Sequence, residues 1–590
     1  MASKSGFARA VLGALVALGL AGCGSAPPRF PQGRAVIWKD DDTRPYVTPC
    51  KPDPEEPGHR LCAPETYVSP FAWDAADNTV FLPLSRALSV PPSLEAVNVN
   101  ALDEVPDSSW FENRLGRHGM TLDEIALGPC SGGKVLDENE HESTWLIDQG
   151  KPNGANPGFR VRTDAGKFML KSDILSEPER ATAAAAIATR IYWAFGFFSP
   201  CDSVVYFNPS RLTLKPGLKV TDNSGVSKPF DSTALAKLLE NAARRGERVR
   251  MSSSRWLSGR AIGPFTYSGV REDDPNDVIA HEHRRELRAS RLVAAWLNHF
   301  DSREQNSMNV WMPVNAADSD STPGHIRHYL LDFGDCFGSQ WDWDGISRRL
   351  GHANYLDFPY LAEDFITFGV QQRPWDTARI TPGVEIFSYF SARDFAPEAW
   401  RGGYPNPAFA EMTERDGAWA ARIIARFSRE HLRRIVEAGN LTKPLHSSFL
   451  LETLIARQEA ILRRYFRELS PLADVEVTGS KLCATDLARS SSAFLGHRFE
   501  YRARRFVGES MKEEAPLRPV PDRELGRLCI DLPRIDAGNE PPGSPDRYTV
   551  IDISNGQAKG PLRVHLYDLG AKGIELAGLE RPEDDDPPEF

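Results

Sequence analysis

The first residues constrain everything after them, because they decide in which compartment the rest of the chain folds. Lys4 and Arg9 give a short positive stretch, and Ala10 to Ala21 is then almost wholly apolar. A membrane-spanning helix takes about 20 apolar residues, so this run is too short to cross a bilayer. It has the form of a signal-peptide core followed by small residues, Leu20-Ala21-Gly22-Cys23. Residues 1–22 are therefore expected to be removed, and the remainder to fold where disulfides persist. The most apolar later stretch, Ile191 to Phe207, is broken by Ser199-Pro200 and Asp202 and reads as core.

Leu20-Ala21-Gly22-Cys23 resembles the lipobox that bacterial lipoprotein signal peptidase cuts ahead of the cysteine. The resemblance implies a lipoprotein of the cell envelope, held to a membrane through lipid (palmitate among its chains) on Cys23. Gly24 stands where an aspartate would favour the inner membrane, so the same rule points to the outer membrane. The sequence has eight cysteines, Cys23 included. Cys50 and Cys62 lie close together in a Pro-rich stretch, and Cys483 and Cys529 flank one C-terminal segment. Both are candidate bridges, although spacing alone leaves the connectivity open.

At 590 residues the chain is long enough for two to four domains. Its net charge of −11 gives no basic field, so nucleic acid is not an expected partner. Residues 23–144 are rich in Pro and Asp and read as a tether followed by extended, wrapped structure. Phe159 to Arg162 and Lys167 to Lys171 read as a hairpin around Thr163–Gly166. A helix is expected over 178–195, started by a capping box of Ser176 and Glu179. Val204–Phe207 reads as a strand, and 211–262 as an insertion with a charged helix near 232–248. A long helix is expected over 279–300, capped by the acids at 273–277. Two strands near 310–312 and 328–331 follow, then several helices, the clearest over 449–469. From 473 to 590 short strands and turns suggest a separate β domain with an acidic, frayed tail. The fold class expected is α+β.

Three signals that could carry chemistry occur in a fixed order. Lys171 ends an apolar strand ahead of a helix; His299-Phe300-Asp301 is followed by Asn306; and Asp332-Phe333-Gly334 ends a later strand. Other sites fail on spacing. His281-Glu282-His283 lacks the i, i+4 histidine pair of a zinc protease, and the acids at 273–277 lack the glutamate of a calcium loop.

The strand lysine, the H-x-D-x-x-x-x-N loop and the D-F-G tripeptide resemble the protein-kinase-like superfamily. The resemblance covers about Trp145 to Ser470 and is closest to the atypical style of HipA, CotH and the phosphatidylinositol kinases. It implies a two-lobed domain, with an N-lobe over 145–210 and a C-lobe over 263–472. It also implies ATP with Mg (or Mn) as cofactors. Lys171 would grip phosphate oxygens, Asn306 and Asp332 would hold metal, and Asp301 would face the acceptor hydroxyl of an unknown substrate. Gly154, between Gly150 and Gly158, and Glu179 are the further candidates for nucleotide contact, although the spacing is not G-x-G-x-x-G and Phe300 replaces the usual arginine. The activity implied is phosphoryl transfer to a protein or small-molecule hydroxyl. The alternatives are an inactive kinase-like scaffold and a structural envelope lipoprotein with no nucleotide pocket.

Overall fold

Alternation builds the first sheet. The computed structural model describes residues 30, 33–52, 60–88, 95–133, 135–139, 144–151, 156–221, 226–240, 242–315, 323–522, 526–535 and 540–588. Cys23 and Gly154 lie outside the described residues. Strands β1 (Trp145–Gly150), β2 (Gly158–Thr163) and β3 (Gly166–Lys171) form an antiparallel meander, with Phe159 opposite Leu170 and Val161 opposite Phe168. Successive strand residues face opposite ways. Trp145, Ile147, Phe159, Val161, Phe168 and Leu170 thus share one buried face. Each such side chain contributes roughly 1.5–3 kcal/mol on burial.

Helix α1 (Arg180–Phe195) follows and is buried on almost every side. Its small residues permit this. A Cβ at Gly439 would come within 2.6 Å of Ile187, so only glycine allows the chain to pass so close. The expected capping box is absent: Glu179 has φ 72° and makes no cap. Asp173 caps instead, accepting 2.8 Å hydrogen bonds from the Thr182 amide and hydroxyl. Glu179 is drawn away because its carboxylate accepts from the Thr442 amide at 3.0 Å.

Strand β4 (Asp202–Phe207), the short β5 (Leu212–Leu214) and β6 (Arg248–Arg255) continue the sheet. Strand β6 lies between β3 and β4, and β5 runs parallel to β1. The stretch read as an insertion therefore supplies three of the seven strands of this sheet: β5, β6 and the two-residue strand Arg244–Arg245 that pairs with β6. Its helix stops at Glu240, not 248, because Val249 and Met251 alternate inward as strand residues.

The long helix expected over 279–300 is α2, Arg285–Leu297, preceded by a single turn at His281–His283. The acids before it do not cap it. Asp277 instead accepts from the Arg271 amide and pairs with His281, each at 2.7 Å. Asn298 ends the helix in the left-handed region, at φ 51°. Strands β7 (Ser307–Pro313) and β8 (Gly324–Leu330) pair as expected, and Arg260–Ala261 adds to β7. Helices α3 (Glu414–Ile424), α4 (Arg429–Glu437) and α5 (Pro444–Glu468) pack on α1 and α2 in one core.

Beyond α5 the described residues form strands joined by loops and three short helical turns. A four-stranded sheet contains β9 (Leu472–Thr478), β10 (Lys481–Asp486) and β11 (Arg527–Asp531). A five-stranded sheet contains the strands Arg502–Val507, Tyr548–Ser554, Leu562–Asp568 and Ile574–Glu580. The two share a core that includes Leu482, Ile530, Ile551 and Val564. The acidic tail is pinned rather than frayed: Arg504 binds Asp585, and Arg563 binds the Asp586 carbonyl. The fold is thus mixed α and β, with several separate sheets. Cys50–Cys62 and Cys483–Cys529 are bridged, and so is Cys130–Cys201, which spacing did not suggest. No helix among the described residues is long and apolar enough to cross a membrane.

The N-terminal stretch is more than a tether. It includes helical turns over Phe71–Leu88, Arg114–His118 and Leu122–Leu127. It also places Trp110 flat on His328, with ring centroids 3.4 Å apart. Its Asp103 meets Arg285 of α2, Arg422 of α3 and Arg581 of the C-terminal sheets. Burial would raise this carboxyl, but the three arginines override it and hold it well below the usual carboxylate range. Breaking a buried pair strands charge, at a cost of about 3–5 kcal/mol. Asp103→Asn is expected to lose about that much stability in urea denaturation at pH 7. A loss below about 1 kcal/mol would show that the arginines find other partners.

Candidate active site

Strand alternation delivers the lysine. With Phe168 and Leu170 turned to the core, Met169 and Lys171 turn to the opposite face, and both line a cleft of about 290 Å³. The end of β6 contributes Ser252, Ser254 and Arg255 to its wall, followed by Trp256 and Leu257. Helix α1 gives Ala181, Thr182 and Ala185. The far wall is Asn306, Met308 and Leu331 to Gly334. The lining is largely apolar with a few convergent polar groups, which is the usual make-up of a small-molecule site.

Lys171 Nζ lies 2.7 Å from Asp332 Oδ1 across this cleft. The two residues are 161 apart in sequence. Burial alone would lower the lysine, but Asp332 overrides it and keeps Lys171 firmly charged. Burial would likewise raise Asp332, and the charges of Lys171 and Lys151 hold it far below its ordinary value. Lys151, immediately after β1, lines the same cleft and donates to the Asn156 carbonyl at 3.0 Å. Burial and the neighbouring Lys171 push it down to about 8.

Asp332 is held in the left-handed region, at φ 56°. Aspartate tolerates that conformation better than most residues, but it still needs support from its surroundings. Phe333 supplies it, stacking on Tyr192 of α1 at 4.8 Å and lying 5.6 Å from the His299 ring. His299 in turn is 3.0 Å from the Tyr192 hydroxyl, and burial pushes its imidazole down to about 4. Arg180 ties the turn to α1 by donating to the Gly334 and Cys336 carbonyls while pairing with Glu177.

The loop after α2 brings in the remaining candidates. Asn306 donates to the Asp301 carbonyl at 2.7 Å and to its carboxylate at 2.9 Å. The amide nitrogen is thereby committed to Asp301, and its carbonyl oxygen is the group left for the cleft. Asp301 also pairs with Arg303 at 2.9 Å. Burial pushes the Asp301 carboxyl up to about 7, with Arg303 opposing and Asp335 reinforcing. The Leu331 amide donates to the Asn306 backbone carbonyl at 2.9 Å, fixing this loop against the end of β8.

Lys171, Asn306 and Asp332 therefore meet in one cleft, and Asp301 joins them through Asn306. Glu179 does not: it is engaged with Thr442, and Glu177 is engaged with Arg180 and the Gln340 amide. The partner of Lys171 is Asp332, not a helix glutamate. Sequence reasoning missed Lys151, Asp202 and Asp335. Asp202 opens β4 and lines the cleft, where burial pushes it up to about 7. Only Asp335, three residues after Asp332, had a local signal.

Magnesium commonly takes one or two carboxylates together with phosphate oxygens and water. Asp332 with the Asn306 carbonyl suits a metal that arrives with a nucleotide. Among the described residues, no group of three or more His, Cys, Asp or Glu is arranged to hold a metal. No family model matches the chain, and no curated protein matches it.

The Lys171–Asp332 pair has a measurable signature. A carboxylate with a depressed pKa stabilises the fold above its ordinary value of 3.8, and that stabilisation is lost as pH falls below it. Lys171→Met is expected to cost about 1–3 kcal/mol at pH 7 by leaving Asp332 unpaired. The cost should shrink as pH falls and Asp332 takes up a proton. Urea denaturation at pH 7 and at about pH 2.5, below the ordinary value of 3.8, checks this, and a cost that does not change with pH would remove the pair from the stability of the fold.

Proposed function

We propose that this chain is an atypical kinase-like phosphotransferase, anchored to the bacterial envelope through lipid on Cys23. The observation that carries the enzyme reading is the meeting of Lys171, Asn306 and Asp332 in one cleft, from three distant parts of the chain. Lys171 ends the third strand of an antiparallel meander and is followed by a helix, which is where a kinase carries its phosphate-gripping lysine. The first sheet with α1 forms one side of the cleft, and the loop after α2 with the β7–β8 hairpin forms the other, an arrangement that suits a two-lobed domain.

In this reading ATP enters the cleft with its base among Met169, Met308 and Leu331. Lys171 and Lys151 hold phosphate oxygens. A bound magnesium or manganese ion would supply charge neutralisation on those oxygens, held by Asp332 and Asn306. Asp301 takes the proton of the acceptor hydroxyl as that oxygen bonds to the γ-phosphorus, and the bond from phosphorus to ADP breaks. Ahead of metal binding, burial holds the Asp301 carboxyl near 7.

Calorimetry with ATP and either metal, beside a radiolabelled phosphate-transfer assay, tests this on the mature chain in detergent. Asp332→Ala is expected to abolish metal-dependent binding. Asp301→Ala is expected to keep binding and to lose at least about 100-fold in transfer. If the wild type binds no nucleotide with either metal, the enzyme reading fails.

One observation favours the second reading, a non-catalytic scaffold. Neither Glu177 nor Glu179 pairs with Lys171, and Lys171 closes directly on Asp332 across the space a phosphate would need. The anchoring is tested separately. Cys23→Ala should accumulate as unlipidated precursor, and palmitate incorporation that survives the substitution would remove the anchor from the proposal.

A further inference from the structure

A second cavity, of about 180 Å³, lies on the other side of the loop that carries Asp301. Two residues of that loop join the spaces. Asn306 lines the first cleft and binds Asp301, whereas Arg303 lines the second cavity and pairs with the same carboxylate at 2.9 Å. Asp301 thus sits between them, and its charge bears on the phenol of Tyr404, which lines the second cavity.

The wall of this cavity combines flat rings with hydrogen-bonding oxygens. Tyr67 and Trp73 come from the N-terminal stretch, and Tyr267 and Tyr404 from the helical part. Trp73 rests on Phe81, with ring centroids 5.6 Å apart, yet remains 60% exposed. Asp74, Asp77, Asn78 and Glu304 supply the oxygens. Asn78 turns its amide nitrogen to Asp74 at 2.7 Å. Its Oδ1 is buried and has no hydrogen-bond partner among the described residues. An orphaned acceptor of this kind is a place for a donor, from water or from a ligand that displaces it.

We infer that this cavity binds the sugar ring of a hydroxyl-rich acceptor and presents one of its hydroxyls to Asp301. Two features favour a sugar. A pyranose has apolar C–H faces that lie against aromatic rings, and its hydroxyls both donate to carboxylate and amide oxygens and accept from hydroxyl and guanidinium groups such as Arg303. The space, about 180 Å³, is below the range of drug-sized ligands and suits a single ring. The N-terminal stretch then does more than tether: through Trp73, Asp74 and Asn78 it selects the acceptor. Gln305 holds it there, donating to Ser69 at 2.6 Å and to Asp74 at 3.3 Å.

This inference rests on the phosphotransferase reading for the role of Asp301, but the binding itself can be measured without nucleotide. Saturation-transfer NMR on the mature chain in detergent, with glucose and N-acetylglucosamine as probes, provides the test. At least one of the two is expected to bind the wild type. Trp73→Ala should weaken that binding about tenfold, the worth of one good ring contact. Asp332→Ala, in the other cleft, should leave it intact. Because Trp73 is largely exposed, its variant should keep the wild-type unfolding transition, and circular dichroism confirms that each variant is folded. If neither sugar binds the wild type, or Trp73→Ala binds as tightly, the inference is overturned whatever ATP does. If a sugar binds and ATP does not, the cavity stands as a carbohydrate site and the phosphotransferase reading falls alone.

Discussion

The carboxylate of Asp103 ties the N-terminal stretch to α2, to α3 and to the end of the C-terminal sheets at one point. Each of the three supplies an arginine. A single acid facing three buried guanidinium groups is strongly orienting, because moving any of them away would leave desolvated charge less fully paired. Arg285, one of the three, also binds Asp416 of α3, so the start of α2 is fixed from two sides. The far end of α2 then delivers His299, Asp301 and Asn306. The placement of the candidate catalytic loop therefore depends on an ion cluster at the opposite end of the same helix.

The cleft depends on a second set of contacts that act through α1. That helix is packed on all sides, and its Tyr192 and Arg180 hold the turn at Asp332-Phe333-Gly334 by stacking and by hydrogen bonds to backbone carbonyls. The strain at Asp332 is tolerable because its ring neighbour and its ion pair both fix it. The lysine at the end of β3 and the aspartate after β8 thus form one unit. A nucleotide entering between them would have to replace their direct contact with contacts to its own phosphates and metal.

The N-terminal stretch links the two themes. It carries Asp103 at one point and the wall of the second cavity at another, and its Ser109 donates to Asp42 at 2.6 Å while lying 3.0 Å from His328. Disulfides close it at Cys50–Cys62 and join it to β4 through Cys130–Cys201. The covalent ties fit a chain that folds after export, where a long wrapped segment of few strands gains little from its own core.

Period alone made several elements readable. Alternation at 159–171 gave the hairpin, and helical spacing at 449–469 gave most of α5, because local burial pattern decides both. The order Lys171, Asp301, Asn306, Asp332 was readable as a set of chemical types. What the sequence could not determine was partnership. Glu179 looked like a cap or a lysine partner, yet a backbone amide from residue 442 claims it. Residues 241–248 looked helical by charge, yet β6 was needed between β3 and β4. Cys130 and Cys201 carry no spacing signal, since 71 residues separate them. Local propensity is worth tenths of a kcal/mol per residue, and a buried contact is worth several times that. Where the two compete, the neighbour that arrives from far along the chain decides.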